Sequence, residues 1–375
     1  MATFEAESIV GLERFAAAEI GNLTPSPSPA RRGEQKRPFS PLSAPEMMST
    51  KSIFAPRSGA GGVRSARGEV RFDYDGPWPA LLGLRTVVAV HVLLASGLPR
   101  PTALLDDGAF RRITATIGHI RSLHPAGAFR TFRLSAAGAE SSVFQRFGAR
   151  LSQATGLRAA DDAGDLLLRF RRGTDGQFEL LARISPRPLA ARAWRVCNLP
   201  GALNAAVASI MASLTRPAPL DVYLNLACGS GTLLVERALL GPAVRLIGCD
   251  VDPDALARAG RNVASAHLTR VELTDWDATR LPLVDGSVDA LTVDLPFGQL
   301  VGSHAANAEL YPALLAEAAR VARPGARLVA ISQQVRLLER SVDTAHWSTE
   351  EVLRPTLSTT GGPIKPGIYV LRRMG

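Results

Sequence analysis

Residues 223–236 read YLNLACGSGTLLVE, from Tyr223 to Glu236, and this stretch decides the fold. An apolar run reads as a buried strand, Cys228-Gly229-Ser230-Gly231-Thr232 reads as a tight turn, and Leu233, Leu234 and Val235 open a helix. Glycines after a strand let the backbone turn sharply and approach a ligand closely, while the helix N-terminus offers unpaired N–H groups to a carboxylate or phosphate. No GxxxxGK[ST] occurs, so phosphate-cradling nucleotide hydrolysis is not supported. The GxGxxG dinucleotide fingerprint is absent too, since Gly229-Ser230-Gly231 is followed by Thr232, Leu233 and Leu234.

Working outward, strands at VYLNLA, VRLIGCD, RVELTDWD, DALTVDL and RLVAIS alternate with helical segments to the end of the chain. That alternation predicts an α/β, Rossmann-like domain over 197–375 with a parallel, doubly wound sheet. Asp250 ends the second of these strands, where an acidic residue accepts hydrogen bonds from ribose hydroxyls. Asp277 ends the third and is placed to hold an adenine amino group, with apolar neighbours covering the ring. The expected cofactor-binding set is Asn225, Ala227, Cys228, Gly229, Gly231, Thr232, Asp250, Val251, Asp277 and Ala278.

The fourth strand runs into Asp294-Leu295-Pro296-Phe297-Gly298. An exocyclic base amine is a poor nucleophile because its lone pair is delocalised into the ring. A carboxylate and a backbone carbonyl that accept its two N–H bonds favour rehybridisation and stabilise the developing positive charge. Asp294, with an unperturbed pKa near 4, is ionised at neutral pH and fits the first role. The Leu295 carbonyl fits the second, Pro296 stiffens the turn, and Phe297 offers a face for the base to stack on.

The first half of the chain reads differently. A strand ATFEAE and a helix GLERFAAAEIGNL open it, and 24–67 is rich in Pro, Ser, Gly and Arg, as expected of a disordered insertion. Structure resumes at GEVRFDYDG, PWPALLGLRT and VVAVHVLLAS. A helix over Asp107–Ser122, a strand FRTFRLSAA, a helix SSVFQRFGARLSQATG, and two strands joined by Gly173-Thr174-Asp175-Gly176 follow. These strands carry Arg130, Arg133, Arg169, Arg171, Arg172 and Arg183, several of them on one sheet face, with few carboxylates in sight to balance them. An RNA-contacting face is expected there.

The net charge is +9, a sign that suits a polyanionic partner and that Arg-rich composition alone also produces. Three cysteines without CxxC spacing argue against a disulfide framework or zinc cluster, and no metal is expected. The longest apolar stretch of the N-terminal half, Thr86 to Leu98, is too short to span a bilayer, and the N-terminus has Glu5, Glu7 and Glu13 where a secretory signal needs basic residues. A cytoplasmic monomer without a protein partner is expected.

Taken with LYPALLAEAARVARPGARLVAIS, the pair NLACGSGT and DLPFG resembles the AdoMet-dependent N-methyltransferases that modify guanine N2 in RNA, in particular the THUMP-domain tRNA methyltransferases. Gly11-Leu12-Glu13, GEVRFDYDG, LLGLR and the paired strands near 166–184 are similar to that family's N-terminal half. The resemblance implies S-adenosyl-L-methionine as cofactor, with Gly229 and Gly231 against its methionine moiety, Asp250 at its ribose and Asp277 at its adenine. It implies guanine at Asp294 and Phe297, and tRNA as substrate, methylated in the acceptor stem at a position-6 type of site. It implies a ferredoxin-like domain over 1–98, a THUMP-like RNA-binding domain over 99–196, and the methyltransferase domain over 197–375. Asn225-Leu226 stands where the family more often has Asp-Pro. Competing expectations are methylation of rRNA guanine N2 or adenine N6, an inactive RNA-binding protein, and a nicotinamide-dependent oxidoreductase on the same fold.

Overall fold

A computed structural model describes residues 1–23, 63–297, 304–359 and 361–375. They form two compact units: residues 1–8 with 13–189, and residues 9–12 with 190–375.

The first unit contains β1 (Ala2–Glu7), α1 (Glu13–Leu23), β2 (Arg64–Ala66), β3 (Glu69–Tyr74), β4 (Ala89–Leu98), α2 (Asp107–Ser122), β5 (Thr131–Ser135), α3 (Ser142–Thr155), β6 (Arg158–Ala159), β7 (Leu166–Arg172) and β8 (Phe178–Arg183). Its strands make one sheet in the order β2-β3-β1-β4-β8-β7-β5-β6. The regions 1–98 and 99–196 thus share a sheet, joined where β4 pairs antiparallel with β8. Alternation sends Phe4, Val70, Phe72, Val90, Val92, Leu168, Phe170 and Leu180 into one core. Helical spacing brings Phe110, Ile113, Ile117 and Ile120 of α2, and Phe144, Phe147 and Leu151 of α3, onto it. Each such fully buried side chain contributes roughly 1.5–3 kcal/mol. The expected insertion over 24–67 ends earlier than the composition suggests, because Arg64–Ala66 pairs with β3; its residues 24–62 lie outside the described residues.

The opposite face of this sheet corrects a second expectation. Its arginines do have balancing carboxylates, most of them from strands distant in sequence. Arg71 pairs with Glu5 and Glu179 at 2.8 and 2.9 Å, and Arg169 with Glu7 at 3.2 Å. Arg171 joins Glu5, Glu69 and Glu179. Arg183 is buried and donates to the backbone carbonyls of Ser185 and Pro186. Three of the arginines expected to face RNA are therefore committed within the sheet. Arg130 and Arg133, by contrast, are exposed.

The second unit contains α4 (Ala205–Leu214), β9 (Val222–Leu226), α5 (Thr232–Leu239), β10 (Arg245–Cys249), α6 (Pro253–Ser265), β11 (Val271–Thr274), β12 (Val288–Asp294), α7 (His304–Val321), β13 (Ala322–Ser332), α8 (Val335–Ser341), β14 (Trp347–Leu353), β15 (Leu357–Thr359), β16 (Gly362–Ile364) and β17 (Gly367–Arg373). Seven strands form a sheet in the order β11-β10-β9-β12-β13-β17-β14. The five strands expected from the sequence are present and parallel. The sheet is not parallel throughout, since β17 runs antiparallel between β13 and β14. The segment between β14 and β17 holds the β15–β16 hairpin and no crossover helix, and antiparallel pairing is what such a connection permits.

From β9 the chain proceeds to β10 and β11 on one side and returns to β12 and β13 on the other. The β9/β12 boundary is thus the topological switch point, where the carboxyl ends of strands open a ligand crevice. The register there pairs Asn225 with Thr292 and Leu226 with Val293. The glycine turn and the Asp294 turn consequently leave neighbouring strands at the same edge.

Candidate active site

The glycine turn is held in a narrow conformation. Ala227, Gly229 and Gly231 have φ of +46°, +55° and +78°. A Cβ built on Gly231 would lie 3.2 Å from the Ala259 Cβ, so glycine is needed both for the left-handed backbone and for the approach of α6. The Gly229 N–H donates to Asp250 Oδ2 at 2.7 Å, and the Cys228 N–H to the Cys249 carbonyl at 2.8 Å. Two supports were not foreseen from sequence. Asn262 of α6 donates to the Ser230 carbonyl and brackets the Cys197 backbone, each contact at 2.9 Å. Arg195 donates to Thr232 Oγ1, also at 2.9 Å. A buried asparagine within an amphipathic helix was the available signal for the first.

The acceptors around this turn suit an amino-acid-bearing nucleoside. Asp250 also accepts from the Asp252 N–H at 3.0 Å, and each carboxylate oxygen keeps a lone pair for a ribose hydroxyl. Val251 beside it is 68% exposed, an apolar surface open to a flat ring. Asn225 is buried and donates to the Leu226 and Thr292 carbonyls at 3.3 and 3.2 Å; its Oδ1 has no donor among the described residues. An acceptor left so costs about 1–3 kcal/mol. Asp277 is exposed and accepts through Oδ1 from the Thr279 N–H and hydroxyl at 2.8 and 2.7 Å, which leaves its other oxygen outward. Ala278 packs in the core below it. Burial pushes the Cys228 thiol up, and the Cys249 thiol to about 11, so both are packing groups rather than nucleophiles.

The second turn presents a clear division of labour. The Leu295 N–H donates to the Ile331 carbonyl of β13 at 3.0 Å. The Pro296 carbonyl accepts from Asn307 Nδ2 and from the Tyr311 hydroxyl, both at 2.7 Å, and the Phe297 carbonyl accepts from Gln334 Nε2 at 3.1 Å. Among the described residues no donor reaches the Leu295 carbonyl or the Asp294 carboxyl. Asp294 keeps an opening to solvent, yet protein surrounds it so closely that desolvation raises its pKa to about 7. The expectation of an ordinary carboxylate is therefore corrected: burial without a hydrogen-bond donor among the described residues disfavours the charged form and lifts the group to about 7. Gly298 lies outside the described residues. Asn307, Tyr311, Ser332 and Gln334 were not singled out from sequence, although the i, i+4 spacing of the first two on α7 places them on one face.

A doubly wound sheet, a glycine turn with an acidic residue at the next strand end, and an acidic turn at the switch point make up a Rossmann-like domain with a ligand crevice at that edge. Residues 192–361 match the model of the UPF0020 family, the RMKL-like methyltransferase domain. Bovine tRNA (guanine(6)-N(2))-methyltransferase THUMP3 is 31% identical over 188 residues, 46% of this chain and 37% of that protein. The chain thus spans little more than a third of the length of that relative. Among solved structures, TrmN from Thermus thermophilus covers 100% of both chains with a TM-score of 0.71 at 22% identity. SMU.472, a putative methyltransferase complexed with SAH, covers 98% of this chain and 97% of its own with a TM-score of 0.64 at 12% identity. Both show the fold.

Proposed function

We propose that the chain is an AdoMet-dependent methyltransferase acting on the exocyclic N2 of a guanosine in tRNA, in the acceptor stem at a position-6 type of site. The observation that carries this reading is the pair of acceptors without a donor among the described residues, the Asp294 carboxyl and the Leu295 carbonyl, on a turn whose next two carbonyls are already held. Two acceptors match the two N–H bonds of an exocyclic amine, and their engagement draws the nitrogen lone pair out of conjugation and offsets the charge that develops on it. Phe297 gives the purine a stacking face. Bound AdoMet supplies an electrophilic methyl group. Asn225, Gly229, Gly231 and Asp250 would hold its amino-acid and ribose parts, with Val251 and Asp277 toward the base. The target base must leave a duplex stack to reach this edge.

The similarity to a protein named as a tRNA guanine N2-methyltransferase supports the choice of base and RNA. We read 1–98 as ferredoxin-like and 99–196 as THUMP-like, with exposed Arg111, Arg112, Arg130, Arg133, Arg146 and Arg158 as phosphate contacts in place of the paired arginines of the sheet. We further propose a monomer in the cytoplasm. Among the described residues no helix is long and apolar enough to cross a membrane.

The test is incubation of an unmodified tRNA transcript with labelled AdoMet and mapping of the product. Label on N2 of an acceptor-stem guanosine supports the reading. Label on adenine N6 or only on rRNA replaces the substrate, and AdoMet binding without transfer to any RNA rejects the activity.

A further inference from the structure

The carbonyl of Pro296 is the end of a chain of hydrogen bonds whose direction can be assigned. The hydroxyl proton of Tyr311 lies on Pro296 O, at 2.7 Å. Tyr311 has one proton to give, so its 2.8 Å contact with Ser332 Oγ must be filled by the serine proton. Ser332 Oγ in turn accepts the Gln334 N–H at 2.9 Å. The result runs one way, from the Gln334 backbone through Ser332 and Tyr311 to Pro296, and such chains polarise each member in the same sense. Asn307 adds a second donor to the same carbonyl, and the Gln334 side chain closes the loop on Phe297 O. Tyr311, Asn307 and Ser332 are buried. Burial raises the Tyr311 phenol, the Ser332 contact lowers it and nearby Asp294 adds a smaller rise, so the phenol stays a donor at every working pH.

We propose that Tyr311 and Asn307 are positioning residues that fix the Pro296 carbonyl and thereby hold the Asp294 carboxyl and the Leu295 carbonyl toward the acceptor amine. This rests on the reading of residues 294–297 as the amine-binding turn. A carbonyl with two strong donors cannot rotate without losing both, and its peptide plane is continuous with the Pro296–Phe297 backbone. The neighbouring Leu295–Pro296 plane has no N–H of its own, since residue 296 is proline, so its orientation depends on what anchors it from either side. On one side that anchor is the Leu295 N–H on β13; on the other it is the Tyr311–Asn307 clamp. Preorganised acceptors lower a barrier only if they do not have to move as charge develops, which is why the clamp acts on turnover rather than on binding.

The experiment uses the full chain with Tyr311→Phe and, separately, Asn307→Ala, each of which leaves Pro296 O one donor and so preserves the fold. Expected for Tyr311→Phe is a fall in kcat of about tenfold or more, the cost of one lost hydrogen bond, with KM for tRNA and calorimetric AdoMet affinity changed less than about twofold. The double variant should lose more than either single one. A second readout needs no turnover: titration of the Asp294 carboxyl by carbon NMR in the protein without AdoMet should move from about 7 toward the ordinary carboxylate range, as a loosened turn admits water. An unchanged kcat with an unchanged titration, or a loss of turnover matched by loss of AdoMet binding and of melting temperature, overturns the proposal. If the unaltered chain transfers no methyl group to RNA, the substrate reading fails by itself and the titration still decides the clamp.

Discussion

The backbone N–H of Gly229 donates to the Asp250 carboxylate across 2.7 Å, tying the glycine turn after β9 to the end of β10. One side chain therefore shapes the turn and, in the proposed site, would offer acceptors to a ribose. Replacing Asp250 by alanine removes both functions, and calorimetric titration should show AdoMet affinity falling about 10- to 100-fold, the range for lost hydrogen bonds to a charged group. Asn should fall between, because its carbonyl oxygen can still accept from Gly229. An affinity within twofold of the unaltered chain would remove Asp250 from the site.

Asp294 carries an opposed pair of effects. Its folded value near 7 lies above the ordinary carboxylate value, so between about pH 4 and pH 7 the native chain holds a proton that the unfolded chain has released. Stability falls as pH rises through that window and is level above it. Asp294→Asn should accordingly gain stability above pH 7, by up to about 4 kcal/mol and less where solvent screens the charge, while methyl transfer drops sharply. Chemical denaturation at pH 5 and pH 8 reads the first effect, and a rate assay the second. In the unaltered chain transfer should rise with pH through about 7, as the carboxylate form becomes the acceptor; a flat profile from pH 6 to 8 contradicts this.

Gly231 should not tolerate a side chain. Alanine there meets a φ of +78° and the Ala259 Cβ at 3.2 Å. Destabilisation of about 1–3 kcal/mol is expected from the backbone strain and close contact, together with weaker AdoMet binding. Gly286, also at positive φ but with open space around its Cβ, serves as the control, and Gly286→Ala should lose stability while keeping AdoMet affinity.

His91 lies buried on β4, where burial and the fields of Arg169, Arg183 and Arg171 push its pKa down to about 3. The unfolded chain takes up a proton near pH 6.5 that the native chain refuses, so stability is lost as pH falls from about 6.5 toward 3. His91→Leu should flatten this, and the difference in melting temperature between pH 7 and pH 5 should shrink relative to the unaltered chain. Glu179 adds to acid sensitivity at lower pH: burial raises its carboxyl, but Arg71 and Arg171 outweigh that and hold it below its usual value. An unchanged pH dependence in His91→Leu would show that the imidazole is not the group responsible.

The methyltransferase half was largely legible because its signals are local. A five-residue turn between an apolar strand and a helix, and an acidic turn at a strand end, require particular residue types at fixed spacing, and Gly229, Asp250 and Asp294 lie at the strand ends the sequence implied. The antiparallel β17 was not legible, since WSTEEVL and GIYVLRR carry strand propensity but nothing that states a direction or a neighbour. The sheet-face arginines were misjudged for the same reason. Arg71 meets Glu179 across 108 residues, Arg169 meets Glu7 across 162 and Arg171 meets Glu5 and Glu69 across 166 and 102, and only strand pairing brings these partners within ion-pair distance.

By itself, then, the sequence determined the order of elements, the glycine turn and the Asp294-Leu295-Pro296-Phe297 turn, because steric and hydrogen-bonding demands of a tight turn act over a few residues. Tertiary structure alone decided the ionisation of Asp294 and the clamp on Pro296. Desolvation depends on everything packed around a carboxyl, and the donors to that carbonyl come from a helix 11 and 15 residues further along the chain.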